Sequence, residues 1–220
     1  MRYFPVFLDL KNRKCVVVGG GRVAERKIQN LRKAGAAVTV VSPRLTPALE
    51  RLKETKGIEH RRRAYKTGDL KAAFLAVAAT DHRPTNEKVF REASARRIPV
   101  NAVDDPVHCT FIVPAVISRG DILIAISTGG RSPALAKALR KKLEREVGGE
   151  YASLLKLIGA VRKSILPLGW GPMKNQKIYR RLLQEDVLDL LRRGNHKALG
   201  RLLREIIGPD FPLEEAGLKT

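Results

Sequence analysis

The sequence predicts an α/β protein: a doubly wound parallel sheet, then a small β/α region, then a helical C-terminal part. Three observations predict it. Short apolar runs alternate with helical patterns through about residue 103, a turn pair splits two extended runs near Arg119-Gly120, and the remainder is helical. Repeated strands separated by helices call for right-handed crossovers in one parallel sheet.

The elements follow in order. Residues 14–18 form a short apolar run of the kind buried in parallel strands, and Gly19, Gly20 and Gly21 come next. A helical pattern over about 23–33 sets Val23, Ala24, Lys27, Ile28 and Leu31 on one face, and Gly35 ends it. Residues 37–41 read as a second strand, stopped by Ser42-Pro43. A helix over 45–55, a strand over 58–64, a short helix near 69–73 and a buried strand over 74–79 are expected after it. Pro84 suits the first turn of a helix reaching about Arg97, and residues 98–103 form the next strand. Beyond residue 110 the runs 111–118 and 121–127 predict an antiparallel hairpin. Ser132-Pro133 is a cap and first-turn pair for a helix to about Val147. The tail is helical, interrupted around 167–172. Its Leu183, Val187, Leu190 and Leu191 are read as packing residues. The expected domains are 1–113, 114–150 and 151–220.

The 220 residues are 44% hydrophobic and 30% charged, which excludes a disordered chain. No apolar run approaches the ~18 residues that a membrane helix needs. The first residues lack the apolar core of a secretory signal. Two cysteines are too few for a disulfide scaffold or a zinc site, and the four histidines show no metal-ligand spacing, so no metal site is expected. A cytoplasmic protein is the simplest reading. The net charge of +21 raises nucleic acid as a partner. Its distribution argues against that, because 23 basic and 11 acidic side chains lie in 1–113 and 20 and 11 lie beyond. With only 5% aromatic residues, few platforms for bases exist. A small ligand rich in negative charge fits better, and neither nucleic acid nor membrane is expected as a partner.

Gly19-Gly20-Gly21-Arg22-Val23-Ala24 fits G-x-G-x-x-G/A, and its place between a strand and a helix makes the match specific for a Rossmann-like dinucleotide site. Gly19 makes the tight turn, Gly21 lets the backbone approach a pyrophosphate, and Ala24 keeps helix and sheet close. The helix N-terminus then stabilises the anion. The usual acidic residue after the second strand is missing. Ser42 can bond a ribose hydroxyl and Arg44 can meet a 2′-phosphate, so spacing alone is equally compatible with NAD and NADP.

Asp104 follows the fifth strand, where ligands of open α/β sheets bind and a general base belongs. The competing reading is that Asp104 or Asp105 makes an Asx turn before Pro106. His108, close by, is read as a polar loop residue. Residues 127–132 with Arg131 form a second candidate anion site before Pro133, against a plain capped loop.

Several segments together resemble one family. They are Pro5-Val6-Phe7, residues 17–27, Ala78-Ala79-Thr80-Asp81, Asn101-Ala102-Val103-Asp104 and residues 127–133. The resemblance is to the precorrin-2 dehydrogenase and siroheme synthase N-terminal family, over about residues 1–150. The methyltransferase domain of fused members has no counterpart here. The resemblance implies NAD-dependent oxidation of precorrin-2, an anionic tetrapyrrole, to sirohydrochlorin, in a homodimer built through the region after about residue 113. By matching positions, Arg22, Val23, Pro43 and Arg44 lie against the dinucleotide, and Asp104 matches the essential carboxylate. Thr80 and Asp81 join the cofactor set. Asn101, Thr128, Gly129, Arg131, Ser132 and Lys137 form the expected substrate set. Position 128 is a phosphorylated Ser in some relatives and Thr here. Asp104 is expected to accept the substrate proton or to orient the ring. Two alternatives stay open: a bifunctional enzyme that also inserts ferrous iron, and a non-catalytic NAD-binding sensor.

Overall fold

The computed structural model describes residues 2–209 and 211–214, which fall into two compact units that divide after Val113. The first holds a five-stranded, all-parallel sheet of β1 (Lys14–Val18), β2 (Ala37–Val41), β3 (Glu59–Arg61), β4 (Leu75–Ala78) and β5 (Val100–Ala102). The spatial order is β3-β2-β1-β4-β5, so the winding reverses between β1 and β4. In open α/β sheets the crevice at such a reversal is where ligands bind.

The strands are apolar on both faces because both are covered. Cys15, Val17, Val38, Val40 and Val77 pack under α1 (Arg22–Lys33) and α2 (Pro47–Glu54), through Ala24, Ile28 and Leu49. Val16, Val18, Ala76, Val100 and Ala102 pack on the other face under α3 (Arg83–Ala95), through Val89 and Ala93. The alternation follows from the two-residue period of a strand. Each fully buried aliphatic side chain is worth about 1.5–3 kcal/mol, so the central strands anchor the site.

The helix expected near 69–73 does not form; the chain makes turns there. Asp69 is the reason. Its buried carboxylate accepts from Arg61 Nη1 (3.2 Å), Arg63 Nη1 and Nη2 (2.7 and 2.6 Å) and the Lys66 amide (2.9 Å). A carboxylate that collects donors from both sides holds the chain in a loop.

The second unit begins with the antiparallel hairpin of β6 (Ala115–Arg119) and β7 (Ile122–Ile126), turned at Gly120 with φ +59°. The helix α4 (Pro133–Glu146) starts where the Ser132 hydroxyl accepts from Leu135 N at 3.2 Å. Arg119 closes its other end, donating to the Val147 and Glu144 carbonyls at 3.0 and 3.2 Å. Helices α5 (Glu150–Ile165), α6 (Pro172–Leu182), α7 (Glu185–Arg192) and α8 (His196–Ile207) build a core of their own around Leu157, Val161, Ile165, Leu182, Val187 and Leu203. Leu190 and Leu191 pack against it, while Leu183, one residue past the end of α6, is 59% exposed. No helix among the described residues is long and apolar enough to cross a membrane.

Candidate active site

The glycine loop is held from two sides. Gly19 takes φ +121°, and a Cβ there would lie 2.3 Å from the Ala79 carbonyl oxygen at the end of β4. Gly20 is equally constrained: a Cβ would meet the Arg44 carbonyl oxygen at 2.1 Å and Ser42 Oγ at 2.8 Å. Gly21 differs from both. It is extended, with φ −82°, and nothing lies within 4 Å of where its Cβ would be. The first two glycines thus fit protein against protein, and the third leaves open space at the start of α1.

That helix start has no side-chain cap. Its first-turn N–H groups and the helix dipole favour an anion there. Glu25 is the acidic residue in the first turn, and the Thr46 hydroxyl holds it at 2.6 Å. Arg22, Pro43, Arg44 and Asp81 are exposed around the loop, and Val23 is 38% exposed. Ser42 is buried and donates its hydroxyl proton to the Arg44 carbonyl at 2.7 Å. Its oxygen keeps lone pairs for a ligand donor, but its first task is to turn the chain. Thr80 is pinned by Asn86 of α3, donating to Oδ1 at 2.8 Å while its carbonyl accepts from Nδ2 at 2.9 Å. Asn86 escaped the sequence reading; a polar residue near the start of the helix after Thr80-Asp81 was its only signal.

The second group lies past β5. Asp104 is exposed and sits at φ +57°, a left-handed conformation that non-glycine residues adopt at tight, specialised turns. Asn101, expected at the substrate, is buried with its amide engaged: Oδ1 accepts from Lys27 Nζ at 3.1 Å, and Nδ2 donates to the Phe111 carbonyl at 3.1 Å. It ties α1 and β5 to the segment that follows the turn. Lys27 is a residue that the sequence reading placed on one face of α1 without giving it a role in the site. Its signal was a lysine among Ala24, Ile28 and Leu31 on the apolar face of α1. Burial lowers its pKa, and neighbouring Arg26 lowers it further, while Cys109 and Asp104 act to raise it.

Asp105 and His108 are paired, Nδ1 to Oδ2 at 2.6 Å, and that hydrogen bond holds the carboxyl below its ordinary pKa. Cys109 donates its thiol to the Ala102 carbonyl at 3.1 Å, and burial pushes the thiol pKa up. Among the described residues no cluster of three or more His, Cys, Asp or Glu is arranged to hold a metal.

The second unit carries its own group. The Thr128 hydroxyl donates to the Ser132 carbonyl at 3.0 Å and accepts from the Ser132 amide at 3.2 Å. Gly129 and Gly130 take φ +65° and +82°, with open space at both, and Arg131 and Lys137 are exposed. The loop is closed by its own hydroxyl, and its glycines leave backbone accessible at the start of α4.

Comparison with known proteins adds the context. A family model described as NAD(P)-binding matches residues 6–115, and one described as sirohaem biosynthesis protein central matches 119–146. The chain is 41% identical over 217 residues to a siroheme synthase of Thioalkalivibrio sulfidiphilus, covering 99% of this chain and 44% of that protein. It is 44% identical over 165 residues to a siroheme synthase of Methylobacillus flagellatus, covering 75% of this chain and 35% of that protein. The chain therefore spans less than half the length of these curated relatives. Among solved structures it resembles "SirC, precorrin-2 dehydrogenase", with a TM-score of 0.75 and 27% identity over 93% of this chain and 98% of the other.

Proposed function

Because this chain belongs to the family of siroheme synthase N-terminal parts and precorrin-2 dehydrogenases, we propose that it oxidises precorrin-2 to sirohydrochlorin with NAD as the electron acceptor. The observation that carries the reading is the likeness to a precorrin-2 dehydrogenase along nearly the whole of both chains. The local geometry fits the cofactor. The uncapped start of α1 and the open flank of Gly21 suit a pyrophosphate beside β1 and β4. Arg22, Val23, Pro43, Arg44, Thr80 and Asp81 then surround the dinucleotide, with Gly19 shaping the turn.

The bound nicotinamide supplies an acceptor for the hydride that the macrocycle gives up. The chain's own residues hold and orient. Asp104 presents its carboxylate to the macrocycle, and Lys27, through Asn101, fixes the segment behind it. Most of the rate enhancement then comes from placing the reacting carbon. In the second unit, Arg131 and Lys137 offer cations to the carboxylates of the substrate, on and beside the loop that Thr128, Gly129 and Ser132 shape. Val116, Leu123, Leu135 and Leu139 are exposed apolar residues on the hairpin and α4. They support a homodimer built through this region. The separate core of residues beyond 151 supports a helical domain of its own. A cytoplasmic location suits a pathway that uses NAD.

The test is anaerobic incubation of the protein with enzymatically generated precorrin-2 and NAD, followed by absorbance, with ferrous iron added afterwards. NAD-dependent formation of sirohydrochlorin is the expected result, and faster iron insertion than in the enzyme-free control adds the chelatase of the siroheme synthase relatives. Unchanged precorrin-2 beside folded, NAD-binding protein overturns the proposal in favour of a sensor. Asp104→Ala should lower kcat about 10²-fold or more; turnover near wild type removes Asp104 from the reaction.

A further inference from the structure

We propose that His108, aligned by Asp105, is a catalytic residue: its Nε2 accepts the proton that the macrocycle loses as the hydride leaves. The inference rests on the dehydrogenase reading and deepens it by dividing the labour on one turn, with Asp104 orienting and His108 taking the proton.

The geometry supplies the argument. Asp104 and Asp105 are consecutive, yet the left-handed Asp104 (φ +57°) separates their roles: the Asp104 side chain is exposed and the Asp105 carboxylate is used internally. Asp105 Oδ2 accepts from His108 Nδ1 at 2.6 Å, and the His108 amide donates to the Asp105 carbonyl at 3.1 Å. With Nδ1 carrying the proton for Asp105, Nε2 is left as the basic nitrogen. No partner for Nε2 occurs among the described residues. Phe90 of α3 packs against the ring edge-on, centroids 4.7 Å apart at 66°, and fixes its plane. The side chain is still 24% exposed. A carboxylate-oriented imidazole with its second nitrogen open, past the carboxyl end of a parallel strand, is the arrangement that general-base catalysis uses.

Among the described residues, the charged groups that bear on the pair come from α3 and from the turn itself. Arg83, at the start of α3, acts on Asp105 from the packed helix, and Asp104 precedes it on the same turn. Phe90 brings no charge. Cys109 follows, with its thiol donating to the Asp105 carbonyl at 3.2 Å.

The step balances. A C–H bond of precorrin-2 breaks with its electron pair, which goes as hydride to the oxidised nicotinamide. One further proton leaves the macrocycle for His108 Nε2, and the electrons of that bond join the conjugated system as a new double bond. The substrate is oxidised by two electrons and the dinucleotide is reduced by two. The imidazolium, stabilised by Asp105, returns its proton to water.

The experiment compares wild type, His108→Gln and Asp105→Asn in full pH profiles of kcat with precorrin-2 and NAD, alongside NADH fluorescence titration. Wild type should show a limb on which kcat rises with pH. His108→Gln keeps a hydrogen-bonding side chain but takes no proton; its kcat should fall about 10²-fold and the limb should vanish, with NADH affinity unchanged. Asp105→Asn should move the limb to lower pH, because the imidazolium loses its carboxylate. This variant carries the test if His108→Gln also loses NADH binding. An active wild type whose limb survives both substitutions overturns the inference alone and leaves the pair a staple of the turn. A wild type that binds NADH but leaves precorrin-2 unchanged overturns the dehydrogenase reading itself, and this role with it.

Discussion

Gly19, Gly20 and Gly21 look interchangeable as letters, and the structure gives them different burdens. Gly19 is both left-handed and in contact with the end of β4, so Gly19→Ala should cost about 2 kcal/mol or more, read as a lowered urea midpoint. Gly21 is extended with empty space beside it, so Gly21→Ala should change stability by under about 0.5 kcal/mol. Its effect should appear in binding instead, as an NADH Kd raised about tenfold or more, because the methyl occupies the approach to the pyrophosphate. A Gly21→Ala variant with normal affinity would place the dinucleotide elsewhere. The same distinction separates Asn101 from Asp104. Three positions apart in one motif, one is consumed internally by Lys27 and Phe111, and the other reaches solvent. Which residue of a motif is free to act depends on partners that come from α1, far away in sequence.

At the scale of elements, apolar runs translated directly into strands. Residues 14–18 and 37–41 form β1 and β2 with the bounds their apolar runs predict, because a strand covered on both faces needs apolar side chains at nearly every position. The loop from β3 to β4 was illegible for the converse reason. Its shape is set by Asp69, whose donors Arg61 and Arg63 lie across a turn and carry no local pattern. The hydrogen bonds from Arg63 hold the Asp69 pKa at about 2, below its ordinary 3.8. A carboxyl depressed in the folded state stabilises above its unfolded pKa, and that contribution is lost as pH falls through the folded value. Wild type should therefore lose about 1–2 kcal/mol between about pH 4 and pH 2, with partial screening at the half-exposed Arg63 included. Asp69→Asn should lack that increment and be less stable at neutral pH. Urea denaturation of both proteins across this pH range checks it, and parallel curves would show that Asp69 contributes nothing.

For the whole molecule, the surplus of positive charge is spread over both units, and no single recognition element holds it. Such a field attracts a carboxylate-rich substrate during encounter and weakens as salt shortens its range. The kcat/KM for precorrin-2 should fall several-fold between about 50 mM and about 500 mM salt, with kcat nearly constant. A flat profile would confine the charge to a solvated surface. The amino-acid sequence by itself determined the winding of the first unit, the glycine loop before α1, the hairpin and the helical tail. Each of these follows from local periodicity and from the backbone demands of Gly and Pro. Only the tertiary structure decided that Lys27 backs Asn101, that Asn86 pins Thr80, that Asp69 replaces a helix with a loop and that His108 is held by Asp105. Those are pairings of polar groups removed from water, and the cost of leaving such groups unpaired acts through space, where the period of the chain carries no record of it.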